Sequence, residues 1–293
     1  MDAYKYRKID AFTSGMSLGN PAACLYLHED QALTETQMLD IAKQHKNFVS
    51  EVVFCQNGDD SSFNLRYFSS EREVPFCGHG TIACMYSLVN DVPELRTQRE
   101  ISIHTHLKGN LTLYNRILEQ DAVYISAPEP IHLAAPVSIK EIAANLQIEE
   151  SEISKAYPID FIDAGNRTLI VPIAKLTDEI SIFPDEQTLK KFTLQNDIDI
   201  ILVFCIEAEN KIHAAHTRIF AAKYGYLEDP ATGSGNSAFG YYMLKNNMWD
   251  GREVTLEQGG NDRIFNIVRL CVEKEKLLFG GSATTRIEGV YYI

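Results

Sequence analysis

The 293-residue sequence has no apolar run long enough to cross a membrane. Its longest apolar stretch, near residues 198–206, is interrupted by Asp199. The opening residues also lack the apolar core of a signal peptide. Positive charge is scarce, because 27 Lys and Arg residues face 40 Asp and Glu residues and the formal net charge is −13. Nucleic acids and anionic membranes bind basic patches, so neither is expected as a partner. Because the sequence shows neither a membrane-spanning run nor the apolar core of a signal peptide, we expect a cytoplasmic location.

Several signatures of metal and nucleotide sites are missing as well. The sequence contains no C-x-x-C pair and no H-E-x-x-H motif, so no metal site is predicted. It has no G-x-x-x-x-G-K-[ST] loop and no G-x-S-x-G elbow. The glycines from Gly233 to Gly240 follow Asp-Pro and not the first strand of a βαβ unit, which argues against a dinucleotide loop. We therefore expect no cofactor.

What the sequence does contain is an alternation of many short strands with a few helices. A length of 293 residues favours two domains of about 150 residues each. After a proline-rich crossover at 127–136 the order of elements repeats, which predicts an internally duplicated α+β chain. Two buried strands, each following a Gly-Asn loop, are predicted at 21–27 and 167–173. Helices are predicted at 34–45, 139–145 and 186–195.

Two glycine-rich motifs about 150 residues apart look like copies of each other. The first is Cys-Gly-His-Gly-Thr at 77–81, and the second is Pro-Ala-Thr-Gly-Ser at 230–234. Each follows an Arg-x-Phe strand and precedes an apolar run typical of a helix. Helix N-termini present unpaired N–H groups, and glycine lets a ligand approach them, so the pair predicts one carboxylate-binding site. Either motif alone could instead be an ordinary helix cap, with Thr81 or Ser234 as the capping residue.

Four motifs in the same order resemble the phenazine biosynthesis PhzF family, within the diaminopimelate epimerase fold superfamily. They lie at 10–23, at Ser50-Glu51, at 75–81 and at 228–234. The resemblance implies two pseudo-symmetric domains, each a mostly antiparallel barrel-like sheet around a central helix, with the active site in the cleft between them. It also implies a homodimer. We expect the N-terminal domain to span 1–118 plus about 282–293, and the C-terminal domain to span 119–281.

The resemblance also implies a biosynthetic isomerase that moves a proton on a small amino or hydroxy acid without metal or cofactor. Its better-understood members act on a small hydroxylated cyclic amino acid, so the reaction type is implied more firmly than the substrate. The family's catalytic acid/base maps onto Glu51, and its supporting polar residues map onto His79, Asp229 and Ser234. The predicted contacts to a carboxylate substrate are Gly78, Gly80, Thr81, Gly233 and Ser234.

The chemistry of the individual residues leaves alternatives open. Glu51 begins an apolar strand, where loss of solvent would raise its pKa and suit a group that takes and returns a proton. It could equally be a surface residue at the start of a strand. His79 lies where the helix dipole disfavours a charged imidazole, and it could bind the substrate or form a structural cap. Asp229 could orient an amino group, relay a proton or cap its helix.

Cys77 is the residue most open to misinterpretation. It occupies the position of the first of the two catalytic thiols found in the cofactor-free racemases and epimerases of the superfamily. The matching position in the second half is Pro230, which has no acid/base group, so we interpret Cys77 as a packing residue or cleft liner. Besides the isomerase, two functions stay open: an epimerase or racemase using Glu51 with Asp229 or His79, and a non-catalytic binder of a small carboxylate.

Overall fold

The chain folds into two compact units in a computed structural model. One unit is formed by Met1–Ser126 together with Gly280–Ile293, and the other by Ala127–Phe279. Within the part of the chain that is described, no helix is both long and apolar enough to span a membrane. The structure describes residues 2–58, 62–260 and 262–293.

The elements of the first unit, numbered along the whole chain, are mostly strands. Its strands are β1 (Ala3–Ala11), β2 (Asn20–Leu27), β3 (Glu51–Asn57), β4 (Phe63–Ser69), β5 (Glu73–Val74), β6 (Glu100–Thr105), β7 (Gly109–Arg116), β8 (Ala122–Ser126) and β18 (Ala283–Tyr292). Its helices are α1 (Glu35–Gln44), α2 (Gly78–Asp91), α3 (Pro93–Arg96) and α4 (Ile117–Gln120).

The sheet of the first unit mixes antiparallel and parallel pairs. β1 lies between β18 and β2 and runs antiparallel to both. Along the rest of the sheet, β2–β3 is parallel, β3–β4 antiparallel, β4–β6 parallel, and β6–β7 and β7–β8 antiparallel. Helix α2 packs against β1, β2, β3, β8 and β18. Its apolar residues Ile82, Ala83, Met85 and Val89 are buried, so this helix forms the core of the unit.

The second unit contains the remaining elements. Its strands are β9 (Ile131–Leu133), β10 (Asp160–Asp163), β11 (Arg167–Pro172), β12 (Ile200–Cys205), β13 (Ala215–Phe220), β14 (Glu228–Asp229), β15 (Val254–Gln258) and β16 (Asn266–Glu273). β17 (Lys276–Gly281) begins in this unit, and its last two residues belong to the first unit. Its helices are α5 (Ile139–Leu146), α6 (Leu176–Ser181), α7 (Glu186–Gln195) and α8 (Gly233–Lys245), with 3-10 turns at Glu150–Glu152 and Ala222–Tyr224.

The second unit repeats the pairing order of the first. β10–β11 is antiparallel, β11–β12 parallel, β12–β13 antiparallel, β13–β15 parallel and β15–β16 antiparallel. Helix α8 packs against β10, β11, β12 and β16. All six residues of β12 are buried, which explains why its sequence is a continuous apolar run without alternation.

Each Arg-x-Phe strand carries the same ion pair just before its glycine-rich motif. Arg66 on β4 donates to both carboxylate oxygens of Glu73 on β5, at 2.8 and 2.6 Å. Arg218 on β13 donates to both oxygens of Glu228 on β14, at 3.0 and 2.7 Å. Each guanidinium also lies near the phenylalanine two residues later, 5.2 Å and 5.1 Å from the ring centroid. Two-pronged pairs of this kind fix a short strand against its neighbour.

Candidate active site

Glu51 is the first residue of β3, and it is the polar end of a strand whose following residues are buried. The next four residues, 52–55, are all buried. The Glu51 side chain is 21 % exposed, so its carboxylate keeps limited contact with solvent. The sequence predicted a carboxylate at the start of an apolar strand, and this is where the residue lies.

Helix α2 begins immediately after Cys77, whose side chain caps it. The Gly80 N–H donates to the Cys77 Sγ at 3.3 Å, and the Thr81 N–H donates to the Cys77 carbonyl at 2.9 Å. A Cβ on Gly80 would lie 2.8 Å from a methyl of Val53, so glycine is needed here for helix–strand packing. The amides of Gly78 and His79, in the first turn, have no acceptor within the helix.

The side chains of Glu51, Cys77 and His79 meet at the start of this helix. His79 Nε2 lies 3.4 Å from Glu51 Oε2, and the Cys77 Sγ lies 3.7 Å from the same oxygen. The Sγ is also 3.5 Å from His79 Nδ1. Cys77 is 6 % exposed and the His79 side chain is 13 % exposed. The structure thus brings Glu51 and His79 together and adds Cys77, which the sequence interpretation had placed among packing or lining residues.

His79 is uncharged at neutral pH. Loss of solvent lowers the pKa of its imidazole to about 4, and a hydrogen bond to the backbone of Pro21 opposes that shift only in part. Because the Pro21 carbonyl can only accept, one ring nitrogen must carry a proton and donate it there. The tautomer is therefore fixed, and the other ring nitrogen has a lone pair that can accept a proton or bind an ion.

The lowered pKa of His79 predicts an acid-sensitive fold. Stabilisation by the neutral imidazole is fully present above about pH 6.5 and is lost as the pH falls towards 4, because the unfolded chain binds the proton more tightly. Between pH 7 and pH 4.5 we expect the wild type to lose about 2 kcal/mol more unfolding free energy than His79→Gln does. Urea unfolding at both pH values measures this, with exposed His28→Gln as the control. Equal losses in wild type and His79→Gln would contradict the prediction.

Thr81 does not cap the helix, contrary to one interpretation of the sequence. It lies inside the first turn and is fully buried. Its hydroxyl donates to the Cys77 carbonyl at 2.7 Å and lies 2.7 Å from the Tyr67 hydroxyl. Its amide donates to the same Cys77 carbonyl. Thr81 therefore connects the start of α2 to β4 through Tyr67. The sequence analysis did not identify Tyr67 as a supporting residue.

In the second unit, Asp229 belongs to a polar network at the start of α8. Thr232, the residue before the helix, donates its hydroxyl to the Asp229 carboxylate and makes no side-chain cap bond. Gln258 donates to the Asp229 carbonyl at 2.8 Å and accepts from the Thr232 N–H at 2.9 Å. Asp229 therefore does not cap α8, which removes one of the three roles considered for it.

Ser234 is the second residue of α8 and is not its cap, which corrects the capping interpretation. Its hydroxyl accepts a hydrogen bond from the Asn166 side chain at 2.7 Å, and Asn166 accepts one from the Tyr224 hydroxyl at 2.9 Å. Asn166 was missed, although its Gly-Asn loop had been matched to residues 19–20. A Cβ on Gly233 would lie 2.2 Å from the Phe279 ring, so this glycine too is needed for packing.

A family model described as "Phenazine biosynthesis-like protein" (PhzC-PhzF) matches residues 9–289. The chain belongs to this family. Among its relatives, the uncharacterized isomerase YfhB of Bacillus subtilis is 29% identical over 256 residues, covering 86% of this chain and 85% of the relative. The crystal structure of a Bacillus anthracis phenazine biosynthesis protein of the PhzF family is similar with a TM-score of 0.85 at 26% identity, and the match covers 100% of both chains.

The predicted PhzF-like family and isomerase class are thereby confirmed. The fold class is confirmed as mixed, sheet-dominated and shared with epimerases. A Pseudomonas aeruginosa protein named a predicted epimerase, PA4716, has a TM-score of 0.74 at 19% identity, with 98% of each chain covered, which shows the same fold. In this PhzF-like isomerase, Glu51, Cys77 and His79 bring a carboxylate, a thiol and an imidazole together at the start of α2.

Proposed function

We propose that this isomerase moves a proton on a small amino or hydroxy acid, with Glu51 as the general acid/base. The supporting observation is the contact of a half-buried carboxylate with an uncharged imidazole at 3.4 Å and a thiol at 3.7 Å. A carboxylate in this setting can remove a proton from the carbon next to the substrate carboxylate and return it elsewhere on the same molecule. Glu51 needs no second titrating group for such a shift.

The substrate carboxylate is proposed to bind the first turn of α2. Gly78 and His79 stand in the first turn of a 14-residue helix, where amides lack an acceptor within the helix and the helix dipole adds partial positive charge. Gly80 and Thr81 support this turn, because their own amides are used by Cys77. Asp229 stays a predicted catalytic residue, and Gly233 and Ser234 stay predicted substrate contacts, each tested by its own variant.

His79 is proposed to act as a neutral hydrogen-bonding group. With a pKa of about 4 it holds no extra proton at neutral pH, so it cannot serve as the main acid. Since its N–H is donated to Pro21, the other ring nitrogen can accept a hydrogen bond from the substrate, or from Glu51 once that carboxyl carries the proton. It therefore positions the substrate and the base without itself delivering the proton.

An epimerase acting through Glu51 and His79 is disfavoured by their separation. Two bases that invert a carbon must approach it from opposite faces, each about 3 Å from the reacting carbon, and so stand about 6 Å apart. Glu51 and His79 are in contact at 3.4 Å, and Glu51 and Cys77 are 3.7 Å apart. A proton shift by one carboxylate fits this spacing. Inversion by Glu51 with Asp229 is the alternative that experiment must decide.

Proton NMR in D2O tests the proposed reaction. A panel of small unsaturated cyclic amino and hydroxy acids, together with proline-like epimer pairs, is incubated with the enzyme. We expect deuterium to enter at one carbon while a double bond migrates. Deuterium incorporation with inversion and no migration would indicate an epimerase, and tight binding without any exchange would indicate a non-catalytic carboxylate binder.

The cysteine beside Glu51 is expected to be dispensable for turnover. In Cys77→Ser a hydroxyl can still accept from the Gly80 N–H and donate to Glu51, so activity should stay within about tenfold of the wild type. Chelator treatment should not lower activity. The assay compares wild type and Cys77→Ser before and after thiol alkylation. A serine variant with no turnover but a normal circular dichroism spectrum would make the thiol an essential group.

We further propose an internal duplication, supported by the repeated pairing order and the repeated Arg–Glu pair. A cytoplasmic location, a homodimer, and the absence of nucleic-acid and membrane partners stay predictions from composition and resemblance. Size-exclusion chromatography with light scattering tests the homodimer directly.

A further inference from the structure

The three side chains at the start of α2 are also the donor set of a metal site. Cys77 offers sulfur, His79 offers nitrogen and Glu51 offers oxygen, and one ligand atom from each lies within 4.8 Å of the others. Thiolate together with imidazole favours zinc among the common divalent ions and disfavours magnesium and calcium, which prefer oxygen ligands. Three protein ligands and one open position is the usual arrangement of an accessible zinc site.

The separations of these atoms agree with tetrahedral coordination. Zinc ligands about 2.0–2.3 Å from the ion, at tetrahedral angles, lie about 3.3–3.6 Å from each other. Here His79 Nε2 is 3.4 Å from Glu51 Oε2, and the Cys77 Sγ is 3.7 Å from Oε2 and 3.8 Å from Nε2. An ion could therefore enter with shifts of a few tenths of an ångström.

Cys77 and His79 make the kinds of hydrogen bond that zinc ligands typically make. Ligating histidines donate a ring N–H to a carboxylate or backbone carbonyl, and the His79 ring makes a hydrogen bond to the backbone of Pro21. Cys77 stands at a helix N-terminus and receives the Gly80 N–H at 3.3 Å, which stabilises a thiolate. These contacts hold both side chains in place without the ion.

Charge and access complete the site. A thiolate and a carboxylate balance the two charges of Zn²⁺, and a neutral histidine adds none. Glu51 is 21 % exposed, so an ion has a route from solvent and an open position for water. We propose that Glu51, Cys77 and His79 form a Zn²⁺ site with one exchangeable position. The proposed zinc binding does not depend on the proposed isomerase chemistry. A bound ion would occupy Glu51 and should therefore inhibit turnover, and only this consequence rests on the proposed function.

Cobalt and zinc titrations of tag-free, chelator-treated protein test the site. Co²⁺ bound to a thiolate gives a charge-transfer band in the near ultraviolet, and we expect this band to saturate at one ion per chain. Competition with a chromogenic chelator measures Zn²⁺ affinity. Cys77→Ser should abolish the band, and Cys77→Ser and Glu51→Gln should each weaken Zn²⁺ by at least about 100-fold, because even changes around metal ligands cost about 10–100-fold. Cys271→Ser, at a buried cysteine of the second unit, is the matched control.

A second measurement uses only the wild type, so its result does not depend on whether a variant folds. In the wild type, Zn²⁺ should protect Cys77 from alkylation, read by peptide mass spectrometry, and Mg²⁺ should not. A wild type without the charge-transfer band, or Cys77→Ser with wild-type Zn²⁺ affinity, would overturn the proposal. Zinc binding by a protein that shows no isomerase activity even when it is free of metal would leave the metal site standing and remove the proposed function, so the two outcomes are distinguishable.

Discussion

Glu51→Gln is expected to lose turnover while the protein stays folded. The amide is nearly the same size as the carboxylate and can keep contact with Cys77 and His79, but it cannot take a proton from carbon. General acid/base catalysis contributes about 10²–10⁴-fold, so kcat/KM should fall by about that factor. The measurement is the rate of deuterium incorporation in D2O, with circular dichroism to confirm folding.

The matched control for this variant is Glu100→Gln. Glu100 is also a glutamate at the first residue of a strand in the same unit, but its side chain is exposed. We expect wild-type exchange in this variant. Unchanged exchange in Glu51→Gln would remove Glu51 from the mechanism, whatever the control does.

The predicted helix starts agree with the structure where a polar cap precedes an amphipathic run. Thr34 caps α1 and forms a reciprocal pair with Gln37, and Ser138 does the same with Glu141 at α5. These signals depend on residues three apart, so they can be read without tertiary information. The helix predicted at 186–195 is observed at Glu186–Gln195 for the same reason, with Asp185 as its cap.

The helix starts in the two glycine-rich motifs needed tertiary information. Thr81 and Ser234 are good capping residues by type, yet Cys77 and Thr232 precede the helices. What sets the start of α2 is the close packing of Gly80 on Val53, between residues far apart in sequence. The glycines had been explained by ligand approach, whereas Gly80 and Gly233 have protein side chains where a Cβ would stand.

The candidate site was predictable in part. Glu51 and His79 were identified through the family motifs, and the structure brings them within 3.4 Å. Cys77 was set aside because the matching residue in the second half is Pro230. That reasoning tested only a two-thiol mechanism, so it could not predict a thiol that contacts both a carboxylate and an imidazole of its own unit.

Arg218→Met is expected to destabilise the second unit strongly. The Arg218 side chain is 1 % exposed, and one of its nitrogens donates to the carbonyls of Glu179, Ile180 and Ile182 at 2.7–2.9 Å while two others bind Glu228. Methionine fills part of the volume but satisfies none of these acceptors. Removing one partner of a buried pair typically costs about 3–5 kcal/mol, which is the expected loss in unfolding free energy.

The chain contains its own control in the repeated pair of the first unit. Arg66 makes the same two-pronged contact with Glu73, but its side chain is 23 % exposed, so solvent can replace part of what Arg66→Met removes. We expect a cost of about 1 kcal/mol there. Hydrogen exchange of peptides covering β13–β14 and β4–β5 measures each unit separately. Because β14 carries Asp229, Arg218→Met should also loosen the strand that holds this predicted catalytic residue. Equal effects of the two variants would show that burial does not set the strength of this repeated pair.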